Sequence, residues 1–333
     1  MEGDSVTIRD VAKLAGVAVS TASRALGGRS ASAKTRMKVR QAAETLHFVP
    51  NQAAVQLTSG RSNVVAIVVP EQPEFVFKDE FISGIVSRLA TAFADRGMLP
   101  FLALTDPEDA ESFERLLRSS AASGMVVTSF HHSLPFAQVL NDFGRPAVFI
   151  GQPSPSLDYP YVDVDSYQGG YDAGELLSRR GRRRIAIIAG PTDMRTPQQK
   201  NAGCEDAISD YGGEIIATIA GKYSVEHGER AMYRVLETRP DVDAVFAHSD
   251  KIALGVIRAL RSAGRGIPED VSVIGFDDFQ IADAATPRLT TFSQPLADMA
   301  NAAAEMLSER LSLGEWRTKK AVFPVTLVER DSV

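Results

Sequence analysis

From residue 64 to the C-terminus, short apolar runs alternate with segments of helical spacing, and this alternation constrains the fold more than any other feature of the chain. VVAIVVP, MLPFLAL, GMVVTSF and PAVFIGQ form a first set, with helices expected near residues 81–96, 108–122 and 134–143. RIAIIAG, EIIATIA, DAVFAHS and VSVIGFDD form a second, with helices expected near 197–211, 225–238 and 250–263. Strands that are apolar throughout belong in parallel sheets covered on both faces by helices. Two such sets predict a body of two α/β lobes. The tail adds a helix within LTTFSQPLADMANAAAEMLSERL and one final strand in AVFPVTLVER. GPT, HSD and GFDD stand at carboxyl strand ends, the edge where open α/β sheets bind ligands.

Residues 1–62 differ in character. They hold nine Lys and Arg against four Asp and Glu, a net of +5, while the whole chain of 333 residues carries −6, so the remainder carries −11. A basic head on an acidic body points to a nucleic-acid contact confined to the head. In TIRDVAKLAGVAVSTASRAL, Thr7 followed by Asp10 is a capping signal. The hydroxyl can accept a first-turn N–H, and the acid lies near the positive helix end. Ile8, Val11, Ala12 and Ala15 recur at helical spacing, Gly16 breaks the pattern, and a second short helix is expected from about Val19 to Leu26. Two short helices joined by a tight turn containing Gly form a helix-turn-helix, whose second helix can enter the major groove. A third, from about Ala33 to Leu46, has Ser32 as its cap and Val39, Ala42, Ala43 and Leu46 as its buried stripe.

Several classes are excluded. VVAIVVP, the longest apolar run, is far shorter than a membrane span, and MEGDSVTIRD has neither the basic start nor the apolar core of a secretory signal, so the chain is expected to stay inside the cell. A single cysteine, Cys204, rules out an internal disulfide and multi-cysteine metal sites; it falls on an expected helix as a small core residue. There is no H-E-x-x-H, no G-x-x-x-x-G-K-S/T and no G-x-S-x-G motif. His131 and His132 are adjacent and so point apart, and Asp277 and Asp278 have no visible base or metal companion. Catalysis is not expected, and no cofactor or metal enters the reading.

The motifs resemble the LacI family of bacterial transcription regulators. The matching residues are Thr7, Asp10 to Ala12, Ala15 to Val17, Ser23, Arg24, Ser32 to Arg36, Val39, Pro50, Asn51, Ala54 and Leu57, all in one register. The resemblance implies a body of the periplasmic-binding-protein type, with the chain crossing between lobes near 161–164, 288–292 and 318–322. The implied division is a DNA-binding domain at 1–49, a hinge helix and linker at 50–62, and an effector and dimerisation domain at 63–333. Its N-lobe would span about 63–161 and 292–319, its C-lobe about 164–288 and 321–333. The implied activity is that of a cytoplasmic, homodimeric repressor of a palindromic operator, controlled by a small effector, with no membrane partner. The family's effectors are mostly sugars or derivatives. The alternative is an intracellular, non-catalytic sugar-binding protein whose head is an interaction module.

Carried over residue by residue, the resemblance puts Val19 and Ser20 at base edges, with Thr21, Ser23 and Arg24 beside them. Arg24 can make a bidentate contact to guanine. Thr7, Ser32 and Thr35 fall where relatives touch phosphates. Asn51, Ala54 and Leu57 belong to the hinge, too short a helix to persist in water unless DNA and a partner subunit hold it. Leu57 is either a core leucine or a minor-groove wedge, and the resemblance favours the wedge. Phe75 and Phe77 match an aromatic pair lining the effector cleft, Tyr223 a stacking aromatic, and Ser249 and Asp277 polar positions at strand ends. The chain departs from the family at Ala18, Phe48 and Gly151, where relatives often have Ser, Tyr and Asp. It departs also at Lys200, which replaces a common effector-binding Arg and for which Arg195 could compensate.

Overall fold

The structure is a computed structural model that describes residues 6–26, 31–48, 62–105, 109–131, 136–153 and 157–333. The hinge positions Asn51, Ala54 and Leu57 lie outside the described residues. The chain divides into two compact units, Met1–Ser62 and Asn63–Val333.

In the head, α1 (Ile8–Ala15), α2 (Val19–Leu26) and α3 (Ala33–Thr45) pack around Val11, Ala12, Ala22, Ala25, Val39, Ala42 and Ala43. At the start of α1 the Asp10 carboxylate accepts both the Thr7 N–H at 2.9 Å and the Thr7 hydroxyl at 2.7 Å. Thr7 and Asp10 thus form the reciprocal capping box expected at this helix start. Gly16 closes α1 in the left-handed region, at φ 66°, and its N–H reaches the Ala12 and Lys13 carbonyls. That turn is open to Gly because no Cβ is present to clash there. Phe48, which has no hydroxyl to offer, packs against the head's core instead.

The body opens with β1 (Val64–Val69), α4 (Pro73–Val76), α5 (Glu80–Asp95), β2 (Leu99–Leu104), α6 (Ala110–Ser119), β3 (Gly124–Val127), α7 (Phe136–Phe143), β4 (Ala147–Ile150) and β5 (Tyr161–Val164). The second lobe follows with α8 (Ser166–Arg179), β6 (Arg184–Ala189), α9 (Arg195–Asp210), β7 (Glu214–Ala220), α10 (Val225–Thr238), β8 (Ala244–Ala247), α11 (Asp250–Ser262), β9 (Ser272–Ile274) and α12 (Gln280–Ala284). The tail contains β10 (Thr291–Ser293), α13 (Leu296–Leu313), β11 (Lys320–Phe323) and β12 (Thr326–Val328). One sheet has the order β11-β5-β4-β3-β1-β2 and the other β7-β6-β8-β9, both parallel. Strands β10 and β12 form an antiparallel ribbon, bridged to the end of β9 through Ile274 and Thr290.

The tail holds three strands where one was expected: β10 precedes the helix, and AVFPVTLVER is divided between β11 and β12. Pro324, which has no N–H and a fixed φ, separates β11 from β12. Strand β11 pairs with β5 of the first sheet, whereas β12 pairs with β10 beside the second. The chain therefore passes between lobes after β5, after β10 and at Pro324, in each case a few residues later than the crossings expected near 161–164, 288–292 and 318–322. Residues 161–164 and 320–323 lie in the first sheet. Among the described residues, no helix is long and apolar enough to cross a membrane.

Candidate functional site

Two surfaces carry the residues singled out above. On α2, Ala22 and Ala25 face the head's core, which leaves Val19, Ser20, Ser23 and Arg24 exposed and Thr21 half-buried. Exposure on one side follows from the helical period, since buried positions three apart turn the intervening ones outward. Ser32 caps α3: its hydroxyl accepts the Thr35 N–H at 3.2 Å, and the two side-chain oxygens stand 2.8 Å apart. Ser32 and Thr35 thus form one polar step at the positive end of a helix, where an anion is favoured. Thr7 is exposed beside Asp10.

The second surface is a cavity of about 400 Å³ between the lobes, within the usual range for small-molecule sites. It faces the carboxyl ends of both sheets at the points where strand order reverses, β1 against β3 and β6 against β8. Phe75, Asp79, His131 and Asp163 line it from the first lobe, and Lys200, Tyr223, His248, Ser249 and Asp277 from the second. Five of the seven residues expected at the effector, Phe75, Lys200, Tyr223, Ser249 and Asp277, therefore share one wall or the other. Two do not. Phe77 ends the short helix α4, where Val76 takes the inward position and Phe77 is left 70% exposed. Arg195 is the first residue of α9 and does not line the cavity, whereas Lys200, one and a half turns on, is buried within it.

The second-lobe wall is built tightly. A Cβ on Gly170 of α8 would stand 2.2 Å from the Lys200 carbonyl oxygen, so the absence of a side chain lets the two helix backbones meet. Lys200 Nζ lies 3.3 Å from the centre of the Phe276 ring and donates to the His248 carbonyl at 3.2 Å. Burial pushes the Lys200 ammonium down to about 8, against the opposing pull of Asp277, Asp163 and Asp250. Asp277 is held well above the usual carboxylate range by burial, with Lys200 countering, and its Oδ1 accepts from Gln294 Nε2 at 2.6 Å. Its φ of 115° is strained for a residue other than Gly, a cost that recurs at ligand sites. Burial also pushes Asp163 up to about 6, although its carboxylate accepts the N–H groups of Gln152 and Val164 at 2.9 and 2.8 Å. Ser249 lines the cavity and also caps α11, accepting the Ile252 N–H at 3.2 Å.

The lobes are clasped across the cavity. His131 bridges Glu71 of its own lobe, at 3.1 Å, and Asp193 of the other, at 2.9 Å. Burial disfavours its charge, but the two flanking carboxylates prevail and its pKa is raised. Lys251 reaches Asp79 at 3.1 Å, and Gln199 donates to Gln152 at 3.1 Å. Sequence reasoning missed Asp163, His248 and the bridging role of His131. A charged residue closing an apolar strand, as in YVDVD, was the available signal for Asp163; the partners of His131 are 60 and 62 residues away, with no local signature. Cys204 is fully buried, and burial pushes its thiol up to about 12, so it is an inert core residue.

Comparison with known proteins agrees with this geometry. Residues 7–51 match the model of bacterial regulatory proteins of the lacI family, and residues 175–333 that of the periplasmic binding protein-like domain. The chain is 37% identical to the HTH-type transcriptional regulator CelR of Thermobifida fusca over 98% of both proteins, and 30% identical to the regulator DegA of Bacillus subtilis over 98% of this chain and 97% of DegA. Among solved structures, a CelR–cellobiose complex superposes with a TM-score of 0.78 at 35% identity, covering 98% of this chain and 100% of that one. The lac repressor dimer bound to operator and the anti-inducer ONPF gives a TM-score of 0.81 at 25% identity, covering 99% of each. The head with its exposed second helix, the two-lobed body and the near full-length identity lead to one conclusion: the chain belongs to the LacI family of bacterial regulatory proteins.

Proposed function

We propose that this protein is a non-catalytic transcriptional repressor that binds a palindromic operator as a homodimer and is controlled by a neutral sugar held between its lobes. The observation that carries the effector reading is the 400 Å³ cleft, where the Phe75 and Tyr223 rings accompany the carboxylates of Asp277 and Asp163. Aromatic faces suit the apolar face of a pyranose, and carboxylates accept from its hydroxyls. A phosphorylated sugar is disfavoured, because Lys251 is already paired with Asp79 and Lys200 stands among carboxylates. CelR, whose structure is a complex with cellobiose, makes that β-linked glucose disaccharide the first ligand to try.

On the DNA side, Val19, Ser20, Thr21, Ser23 and Arg24 enter the major groove, and Thr7, Ser32 and Thr35 contact phosphates. The hinge residues Asn51, Ala54 and Leu57 complete the interface in the minor groove. Lobe movement on effector binding would then alter hinge pairing and so operator affinity, a coupling that is reciprocal.

The test has two arms. Selection from a random duplex library should return a palindrome, bound with affinity that falls steeply with salt. Thermal-shift measurement with cellobiose, glucose, glucose phosphates and nucleobases should show stabilisation by the neutral sugar and none by the phosphates. A protein that binds sugar but no duplex would be the non-regulatory binding protein instead.

A further inference from the structure

We infer that His248 is a specificity-determining donor of the effector site: its Nε2–H, left without a partner by the fold, binds an acceptor oxygen of the effector. This deepens the effector reading above and rests on it.

His248 follows β8 directly, at the reversal point of the second sheet. The residue is 0% exposed, and it forms part of the cavity wall. Its ring lies 5.1 Å from that of Phe246, centre to centre, so one flank is committed to packing. The Gly190 N–H donates to Nδ1 at 3.3 Å, which requires a lone pair on that nitrogen and leaves the ring hydrogen on Nε2. Protonation of both nitrogens would break this bond. It is opposed further by burial and by the Lys200 ammonium, which together hold the ring neutral. Nε2 has no hydrogen-bond partner among the described residues. A buried N–H of this kind is costly unless something outside the chain accepts from it.

The chemistry selects the ligand. Asp277 and Asp163 present acceptors to the cleft, whereas His248 Nε2 in this tautomer can only donate. A hydroxyl, ring or glycosidic oxygen satisfies it. A protonated amine does not, having no lone pair, even though the surrounding carboxylates would attract its charge. His248 thus turns an acidic cleft toward neutral oxygen-rich ligands and away from amino sugars at this position.

The test uses the full-length protein and cellobiose. In His248→Asn, the Asn amide oxygen replaces Nδ1 as acceptor for Gly190 while the Nε2–H donor is lost. Calorimetry is expected to show affinity reduced tenfold or more. Affinity within threefold of wild type, in a variant shown folded by circular dichroism, would overturn the proposal while leaving the effector reading intact. Should the variant fail to fold, nitrogen-15 NMR of the wild-type histidines decides. The His248 ring should stay the neutral Nε2–H tautomer below the pH at which an ordinary histidine takes up its second proton, and its Hε2 resonance should move when cellobiose is added. An Nδ1–H tautomer, an imidazolium near pH 6, or a resonance unmoved by bound cellobiose would each overturn it. Failure of wild type to bind any sugar would defeat the effector reading itself. The ligand-free spectrum then still judges His248, an Nε2–H donor supporting its role and any other form overturning it.

Discussion

The exposed face of α2, proposed to read DNA, and the second-lobe wall of the cleft, proposed to hold the effector, are built in opposite ways. Val19, Ser20, Ser23 and Arg24 stand in solvent on a short helix whose other side, Ala22 and Ala25, does the packing. Lys200 and His248 are buried and Asp277 is half-buried, and all three are held by partners from other segments and displaced from their ordinary ionisation. A surface that reads DNA can be changed at little cost to folding, because exposed side chains contribute little to stability. A buried polar wall has desolvated its groups in advance, so each is satisfied by a neighbour or awaits the ligand. The first surface can vary its specificity freely; the second is preorganised.

The largest effect expected from this contrast is separation of the two functions. Removal of residues 1–62 should abolish operator binding outright, while the remaining unit, which has its own cores, stays folded and binds cellobiose as before. Fluorescence anisotropy and calorimetry measure the two arms, and loss of sugar binding on truncation would break the comparison.

Next comes Asp277→Asn, which tolerates the positive φ but replaces one carboxyl oxygen with an amide donor. Cellobiose affinity should fall by about 1 to 3 kcal/mol, roughly fivefold to 150-fold, with operator affinity of the sugar-free protein unchanged. Unchanged sugar affinity in calorimetry would remove Asp277 from the site.

Arg24→Ala should act in the reverse sense. Discrimination at one base pair of each half-site should weaken by about 1 to 3 kcal/mol, while the melting temperature and sugar affinity hold. Competition with single-base operator variants measures this, and a marked drop in melting temperature would show that α2 is not the freely variable surface described.

The smallest effect concerns the clasp. The pKa of His131 is raised in the folded protein above its usual 6.5, so its bridge stabilises fully below pH 6.5 and is lost as pH rises through the raised value. Melting temperature should therefore decline above pH 6.5. His131→Gln should remove a decline on the order of 2 °C, modest because the imidazole is partly exposed. An identical pH profile for the variant would show that the bridge contributes nothing.

The head was legible in the sequence to within a residue or so because its determinants are local. The Thr7–Asp10 cap, the Gly16 break, the Ser32 cap and the alanine faces all act within a turn or two of where they are written. The alternation of apolar runs with helical segments likewise determined the two parallel sheets, since burial on both faces shows in composition alone. Only the tertiary structure decided which side of α4 faces the cleft, taking Phe75 and leaving Phe77 in solvent, and that Lys200 lines the cleft while Arg195 does not. It also decided that the last apolar stretch is split by Pro324 between two sheets, and that Asp163, His131 and His248 belong to the site. The physical reason is range. A cap or a hydrophobic face depends on neighbours in sequence, whereas the charge, tautomer and partners of a cleft residue depend on groups brought together from strands far apart in the chain.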